Sequence, residues 1–141
     1  MKTLLKQLLA LGVIVGGFFA FTAWPRLQEV ETGKTPEYPD LQPHDYGINP
    51  DGVAKGVRKV MDELPRWEVT GEGKGSAGID LQAVHSAPLG LVKEDVTVRI
   101  RREKGRTVVS VHSRSRWSIG DFGQNARNVR ELLYALDREV F

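Results

Sequence analysis

The chain has 141 residues, of which 40% are hydrophobic and 27% charged, with a formal net charge of +2 at pH 7. This composition is that of an ordinary globular protein, and the net charge is too small to indicate a nucleic-acid-binding protein. The sequence contains no cysteine, so disulfides, thiol nucleophiles and cysteine metal sites are excluded.

Residues 1–24 predict an N-terminal transmembrane anchor. Lys2 and Lys6 precede an uncharged apolar run from Leu8 to Trp24. Such a run, as a helix, spans about 26 Å, which crosses most of a bilayer core and places Trp24 at the interface. The basic flank favours a cytoplasmic N-terminus. We therefore expect a single-pass protein of a bacterial inner membrane, with its C-terminal domain in the periplasm.

A cleaved signal peptide is the alternative interpretation of this segment. Cleavage requires small residues at positions −3 and −1. Cuts after Ala20 or Ala23 would place Phe18 or Phe21 at −3. A cut after Gly17 fits better but leaves three phenylalanines near the new terminus. The uncleaved anchor is therefore preferred, and both interpretations export the domain.

Residues 25–48 predict a proline-rich extended linker. Four prolines (Pro25, Pro36, Pro39 and Pro43) punctuate a segment whose few apolar residues follow neither helical nor strand periodicity. The alternative is that the stretch Tyr38–Leu41 docks onto the domain. The turn-forming Pro-Asp pair inside it needs no such partner, so the spacer is preferred.

Residues 49–141 predict an α+β domain that begins and ends with a helix. The first helix opens at Asn49–Gly52, ends before Pro65, and carries an apolar stripe of Val53, Val57, Val60, Met61 and Leu64. The last helix follows Asp121, a predicted N-cap with Gln124 in capping-box position. Its apolar stripe consists of Ala126, Val129, Leu132, Leu133 and Leu136.

Alternating patterns between the helices predict four strands, near 67–69 and over 79–83, 96–101 and 107–116. Gly71–Gly75 is predicted as a loop and lacks the pattern of a phosphate-binding turn. Glu103–Arg106 predicts a two-residue hairpin turn that pairs Ile100 with Val109 and Val98 with Val111. The expected fold is a four-stranded, mainly antiparallel sheet with two helices packed on one face.

The stretch Ser113–Arg127 resembles the C-terminal signature of the domain of unknown function 1499 family: a serine/arginine strand, a turn rich in Gly, Asp and Asn, and a helix. Leu81–Val84 and Lys93–Val98 also fit, and the resemblance covers about residues 45–141. Gly120 is followed directly by Asp121, a spacing tighter than in some members. The cysteine-containing segment of many members is missing. The resemblance implies an exported, often membrane-tethered protein and supplies no activity.

The C-terminal motif is the first candidate site. Asp121, Asn125 and Arg127 gather at the start of the last helix, whose free N–H groups favour anions, and Arg116 would add a bidentate donor. The structural alternative is that Asp121 caps the helix, Asn125 bonds local backbone and Arg116 pairs with Asp121. Capping alone accounts for Asp121, so a structural role is preferred for the motif residues Ser113, Arg114, Ser115, Arg116, Asp121, Asn125 and Arg127.

An arginine-rich sheet face is the second candidate. From residue 91 onward there are eleven Lys/Arg and seven Asp/Glu. In an anchored protein this face would meet anionic lipid headgroups through Arg99, Arg101, Arg114 and Arg116. The alternative is a solvated sheet face. Nucleic acid is not expected as a partner, because this face lacks stacking aromatics and lies outside the cytoplasm.

No catalytic, metal-binding or cofactor-binding residues are predicted. His44, His85 and His112 are far apart in sequence, and His112 and Ser113 point to opposite faces of their strand. The sequence therefore favours a membrane-anchored cell-envelope protein with a non-catalytic binding or scaffolding domain, for a protein or lipid partner. The alternatives are an envelope hydrolase around Arg116, Asp121 and Asn125, and a binder of anionic lipid or small anions.

Overall fold

The computed structural model describes residues 1–23, 27–117 and 120–140. Its helices are α1 (Lys2–Ala23), α2 (Pro50–Glu63) and α3 (Gln124–Val140), and its strands are β1 (Glu29–Glu31), β2 (His44–Tyr46), β3 (Trp67–Gly75), β4 (Gly78–Ser86), β5 (Lys93–Glu103) and β6 (Arg106–Ser115). A 3₁₀ turn over Pro88–Gly90 joins β4 to β5. Trp24 with the start of the predicted linker, and Ser118 and Ile119 of the C-terminal motif, lie outside the described residues.

Helix α1 confirms the predicted N-terminal apolar helix. Its stretch Lys2–Phe19 has a mean hydropathy of 1.4, and none of that stretch is buried against the rest of the chain. The helix is long and apolar enough to cross a bilayer. Insertion into a membrane stays a prediction, because a signal sequence has the same length and composition.

Helices α2 and α3 lie side by side on one face of the sheet, as predicted. Asn49 caps α2, since its Oδ1 accepts a hydrogen bond of 2.7 Å from the Gly52 N–H. Pro50 takes the first helical position, where its missing N–H costs nothing. The buried positions of both helices follow the predicted stripes, except that Leu64 is the C-cap of α2 and only partly buried. Both helices are therefore held by apolar packing against the sheet.

The sheet is antiparallel, with strand order β1-β6-β5-β4-β3, and β2 also pairs with β6. The predicted hairpin register is confirmed: Glu103 lies opposite Arg106, Ile100 opposite Val109 and Val98 opposite Val111. Gly105 has a φ of 82° in the two-residue turn, a conformation that glycine adopts without steric cost. The turn and the alternation of buried side chains thus agree on one register.

The sheet has six strands rather than the predicted four, and the additional two come from the predicted linker. Residues 27–48, here called the N-terminal strap, place β1 and β2 beside β6. Val30, Leu41 and Tyr46 are buried in the core. Burial raises the pKa of the Tyr46 hydroxyl, which donates a hydrogen bond of 2.7 Å to Asp137 on α3. For residues 27–48, the prediction of a free spacer is therefore wrong.

The predicted glycine-rich loop over Gly71–Gly75 is also wrong, because these residues form the second half of β3 and pair with β4. Gly71, Gly73 and Gly75 alternate with two charged residues, Glu72 and Lys74. Those side chains reach α2, where Glu72 pairs with Arg58 and Lys74 with Asp51. Gly71 also leaves room for a neighbour: a Cβ there would lie 2.8 Å from Gln82 Oε1. The strand thus presents glycine on one face and charge on the other.

If the strap belongs to the domain, Leu41→Ala should lower the free energy of unfolding by about 2–5 kcal/mol, the usual range for removing a buried leucine. Glu37→Ala, in an exposed part of the same strap, should change it by less than about 0.5 kcal/mol. Urea denaturation of the full chain in mild detergent, followed by tryptophan fluorescence, measures both. Equal stability of the two variants would contradict a structural role for the strap.

Candidate functional site

The chain from α1 enters the domain at one end of the sheet, here called the tether end. The Gln28 carbonyl accepts a hydrogen bond of 2.8 Å from the Ser115 N–H, at the end of β6. Strand pairing brings the end of β4 and the start of β5 to the same place, since Glu94 lies opposite both His85 and Ser115. Helix α3 starts there as well, because Asn125 also binds Gln28.

Three predicted site residues, Ser113, Ser115 and Asn125, form a buried hydrogen-bond network at this end. Ser113 Oγ donates to Asn125 Oδ1 over 2.7 Å. Asn125 Nδ2 donates to the Gln28 carbonyl over 3.1 Å and to Ser115 Oγ over 3.2 Å. Asn125 thus bonds distant backbone rather than the local backbone that was predicted. These polar groups are hydrogen-bonded to one another and to Gln28, which favours a structural role.

Asp121 has the capping role that was predicted, in a different geometry. Its two carboxylate oxygens accept hydrogen bonds from the Gly123 N–H (2.9 Å) and the Asn125 N–H (2.8 Å). The helix begins only at Gln124, and the Gln124 side chain bonds Asn128 instead of closing the predicted capping box. Because Asp121 already accepts from these two N–H groups, they are not free for an external anion.

The predicted pairing of Arg116 with Asp121 is wrong, since Arg116 binds Asp95 on β5. Its Nη2 donates to Asp95 Oδ1 over 2.7 Å, and its Nε lies 3.0 Å from Oδ2. The Arg116 guanidinium holds the pKa of Asp95 below its usual value. Arg127 is exposed and donates to the Phe122 carbonyl and to Gln124 Oε1. The structure therefore does not gather Arg116, Asp121 and Asn125 into one anion site.

The arginine face is largely paired with acids of the neighbouring strands, and of these the sequence interpretation left the acids of β1 out of the sheet. Arg99 binds Glu31 of β1 over 3.0 Å, and Arg101 binds Asp80 of β4 over 2.7 Å. Arg114 is exposed and lies between two acids, opposite Glu29 on one neighbouring strand and Asp95 on the other. The local excess of cations read from the sequence is therefore offset on the outer face of the sheet.

A cavity of about 390 Å³ opens at the tether end, between the β4–β5 connection and the start of α3. Its walls are almost wholly carbon. Ala87 and Val92 form one side, and the half-exposed Trp117 and Phe122 flank the mouth. The remaining wall residues are Glu94, Ser115, Gly120, Asp121 and Gln124. A cavity of this size and character is typical of a site for a small apolar ligand.

His85 and Glu94 form a buried pair beside this cavity that the sequence interpretation missed. His85 Nδ1 lies 2.8 Å from Glu94 Oε2, and each side chain is only 1% exposed. The Trp67 ring packs edge-on against His85 at 5.3 Å, and Trp67 Nε1 donates to Glu131. The signal was present: both residues continue the inward alternation of β4 and β5.

The pair does not have the arrangement of a catalytic triad. In a triad the histidine lies between the carboxylate and the hydroxyl. Here the sheet order is β4-β5-β6, so Glu94 lies between His85 and Ser115. The other two histidines also face single carboxylates, His44 with Asp137 and His112 with Glu29. Among the described residues, no group of three His, Cys, Asp or Glu side chains could hold a metal ion.

If the motif is structural, Asn125→Leu should lower the free energy of unfolding by roughly 2–4 kcal/mol, because it leaves buried hydroxyl partners unsatisfied. Arg114→Ala, at an exposed position of β6 between Ser113 and Ser115, should change the free energy of unfolding by less than about 1 kcal/mol. Urea denaturation of both variants tests this expectation. An Asn125→Leu protein as stable as the parent would instead reopen a ligand-binding role for the motif.

Comparisons with known proteins identify a family but no activity. No curated protein matches this chain. Three solved structures are similar in part. TTHA0849 from Thermus thermophilus has 18% sequence identity and a TM-score of 0.39, and the match covers 79% of this chain and 96% of that one. LpqN of Mycobacterium tuberculosis, involved in cell envelope biogenesis, has 13% identity and a TM-score of 0.39, with coverage of 82% and 79%, and Chr148 from Cytophaga hutchinsonii has 12% identity and a TM-score of 0.32, with coverage of 82% and 90%. Since residues 22–136 match the family described as protein of unknown function (DUF1499), the chain belongs to that family.

Proposed function

We propose that this chain is a single-pass, membrane-anchored protein of the cell envelope whose domain binds an apolar ligand, of the class of a lipid acyl chain, in the cavity at the tether end. The observation that carries the proposal is the carbon-lined cavity of about 390 Å³ beside Trp117 and Phe122. Burial of each methylene group there would contribute about 0.8 kcal/mol.

The polar groups in the wall favour an apolar ligand, because the fold already uses them. Asp121 binds the backbone of α3, Ser115 Oγ accepts from Asn125, and Glu94 binds His85. A polar ligand would have to compete with these internal hydrogen bonds, whereas an apolar chain need only displace water from carbon walls.

Binding without catalysis is the mode that the geometry supports. The hydrolase alternative needs Arg116, Asp121 and Asn125 to meet at a substrate, but their side chains are bonded to Asp95, the start of α3 and Gln28. The small-anion alternative needs free donors at the start of α3, and Asp121 occupies the N–H groups of Gly123 and Asn125 there. Neither alternative has a specific observation in its favour.

The proposed anchor is α1, with its lysine-flanked end in the cytoplasm and the domain outside it. The absence of cysteine permits a direct test, because a single introduced cysteine is the only thiol. In spheroplasts, a membrane-impermeant maleimide should modify Lys104→Cys in the β5–β6 turn and spare Lys2→Cys. Both variants should stay in the membrane pellet at alkaline pH. Labelling of Lys2→Cys alone, or release into the supernatant, would contradict the proposed anchor.

The cavity is tested with palmitic acid that carries a photoreactive diazirine, added to the full chain in phosphatidylcholine vesicles. Crosslinks mapped by mass spectrometry should fall on the cavity wall, in the peptides that contain Ser115 and Gln124. Val92→Trp, which fills the cavity, should reduce these crosslinks on the order of tenfold, since a filled site loses the apolar contact of several methylene groups.

Val84→Trp is the matched control, because Val84 lies on the same sheet near the tether end but faces outward, opposite Asp95. Its crosslinks should equal those of the parent protein. Crosslinking of the cavity wall that survives Val92→Trp as well as it survives Val84→Trp would contradict binding in the cavity.

A further inference from the structure

Four exposed apolar side chains lie at the tether end: Trp117 and Phe122 at the mouth of the cavity, and Leu89 and Leu91 in the β4–β5 connection. Leu89 is 90% exposed, Leu91 76%, Phe122 53% and Trp117 48%. We infer that these four residues, here called the apolar rim, insert into the interface of the bilayer that holds α1. This inference rests on the proposed anchor and goes beyond it, since an anchored domain need not touch its membrane.

The rim is concentrated where it can act as one surface. Among the described residues from Leu27 onward, only Ile48 and Tyr134 are other large apolar side chains with comparable exposure. Leu91 and Trp117 line a common surface depression, and Trp117 and Phe122 line the mouth of the cavity. An apolar patch at one end of a soluble domain is typical of an interaction site.

The loop that carries the leucines is built to present them. The Ala87 N–H donates to the Val92 carbonyl over 2.9 Å, which closes the loop at its base. Leu89 has a φ of 67°, a left-handed conformation that is uncommon outside glycine. Loop tips usually carry polar or turn-forming residues. Here the tip exposes two leucines in the segment between Ala87 and Val92, which are cavity walls.

The position of the tether indicates that the bilayer is the partner that contacts the apolar rim. Leu27 packs against the core, and the Gln28 carbonyl is bonded to Ser115 and Asn125. Ala23, the last residue of α1, is four residues from Leu27, so their Cα atoms lie within about 14 Å of each other. If α1 spans a bilayer, this short connection keeps the tether end of the domain close to that bilayer.

Charge around the rim fits the same occupant. Arg66, Lys93, Arg114 and Arg116 are exposed at the tether end, and Lys93 and Arg116 line the same depression as Leu91 and Trp117. Apolar tips flanked by cations are the composition of a surface that lies in a membrane interface. Of the predicted headgroup residues, Arg114 and Arg116 lie at this end, whereas Arg99 and Arg101 lie further along the sheet. Arg116 is paired there with Asp95, and Glu29 and Asp95 lie opposite Arg114.

The consequence concerns the route of the ligand. With the rim in the interface, the mouth between Trp117 and Phe122 faces the membrane. An acyl chain would then pass from the bilayer to the cavity without crossing water.

Depth-dependent quenching in the full chain tests the inference. Leu91→Cys and, separately, Lys104→Cys are labelled with an environment-sensitive NBD group and reconstituted in vesicles of phosphatidylcholine and phosphatidylglycerol. β5 separates the two labels by roughly 36 Å. Nitroxide-labelled phosphatidylcholine should quench the label at position 91 on the order of twofold more strongly than the label at 104, with a blue-shifted emission at 91.

A second measurement uses Lys93→Cys as the labelled site, with and without the pair Leu89→Asp and Leu91→Asp. The charged pair should abolish the quenching at 93 while α1 keeps the protein in the vesicle pellet. Equal quenching at 91 and 104, or quenching at 93 that survives the charged pair, would overturn the inference. Loss of the protein from the pellet would instead contradict the proposed anchor, so the two failures are distinguishable.

Discussion

Two hydrogen bonds to the Gln28 carbonyl join the N-terminal strap to the rest of the domain. One comes from the backbone of Ser115 and the other from the side chain of the buried Asn125. Without the strap, the Asn125 amide would lose an acceptor in a place that water does not reach, a loss of about 1–3 kcal/mol. The C-terminal motif and the strap therefore support each other, although they lie almost a hundred residues apart. The family match, over residues 22–136, includes both the strap and the C-terminal motif.

Pairing of the strap with the sheet also determines how charge is distributed over the domain. β1 adds two acids to the outer face of the sheet, and these pair with side chains of the neighbouring strands: Glu29 with His112, and Glu31 with Arg99. The outer face is thereby close to balanced and well solvated, as one face of an antiparallel sheet commonly is. The tether end is more apolar than this outer face, since it exposes leucine and aromatic side chains near a carbon-lined cavity. Within the described part of the chain, this end and not the arginine face has the character of a binding surface.

The elements that could be predicted from the sequence are those that local information determines. The β5–β6 register followed from one turn and from two strands whose alternation agreed with it. The strap gave no such pattern, because β1 and β2 have three residues each and bury a single residue apiece, Val30 and Tyr46. The His85–Glu94 pair was missed for another reason. The predicted strands stopped at Ala83 and started at Val96, where ionisable residues end the apolar alternation. The inward alternation in fact continues through His85 and Glu94, since a buried polar side chain is tolerated when a hydrogen-bond partner lies opposite it.

Folding of the strap into the sheet changes what an N-terminal anchor can do. A free spacer of 24 residues would leave the domain roughly 25–30 Å from the membrane on average, in any orientation. With Leu27 and Gln28 held by the core, three residues separate them from α1, and the reach falls to about 14 Å. If α1 spans a bilayer, as proposed, a connection this short holds one particular end of the domain close to that bilayer. That end carries the cavity, the apolar rim and exposed cations together. A domain on a long spacer would take any orientation, and these features would then not be held facing the membrane.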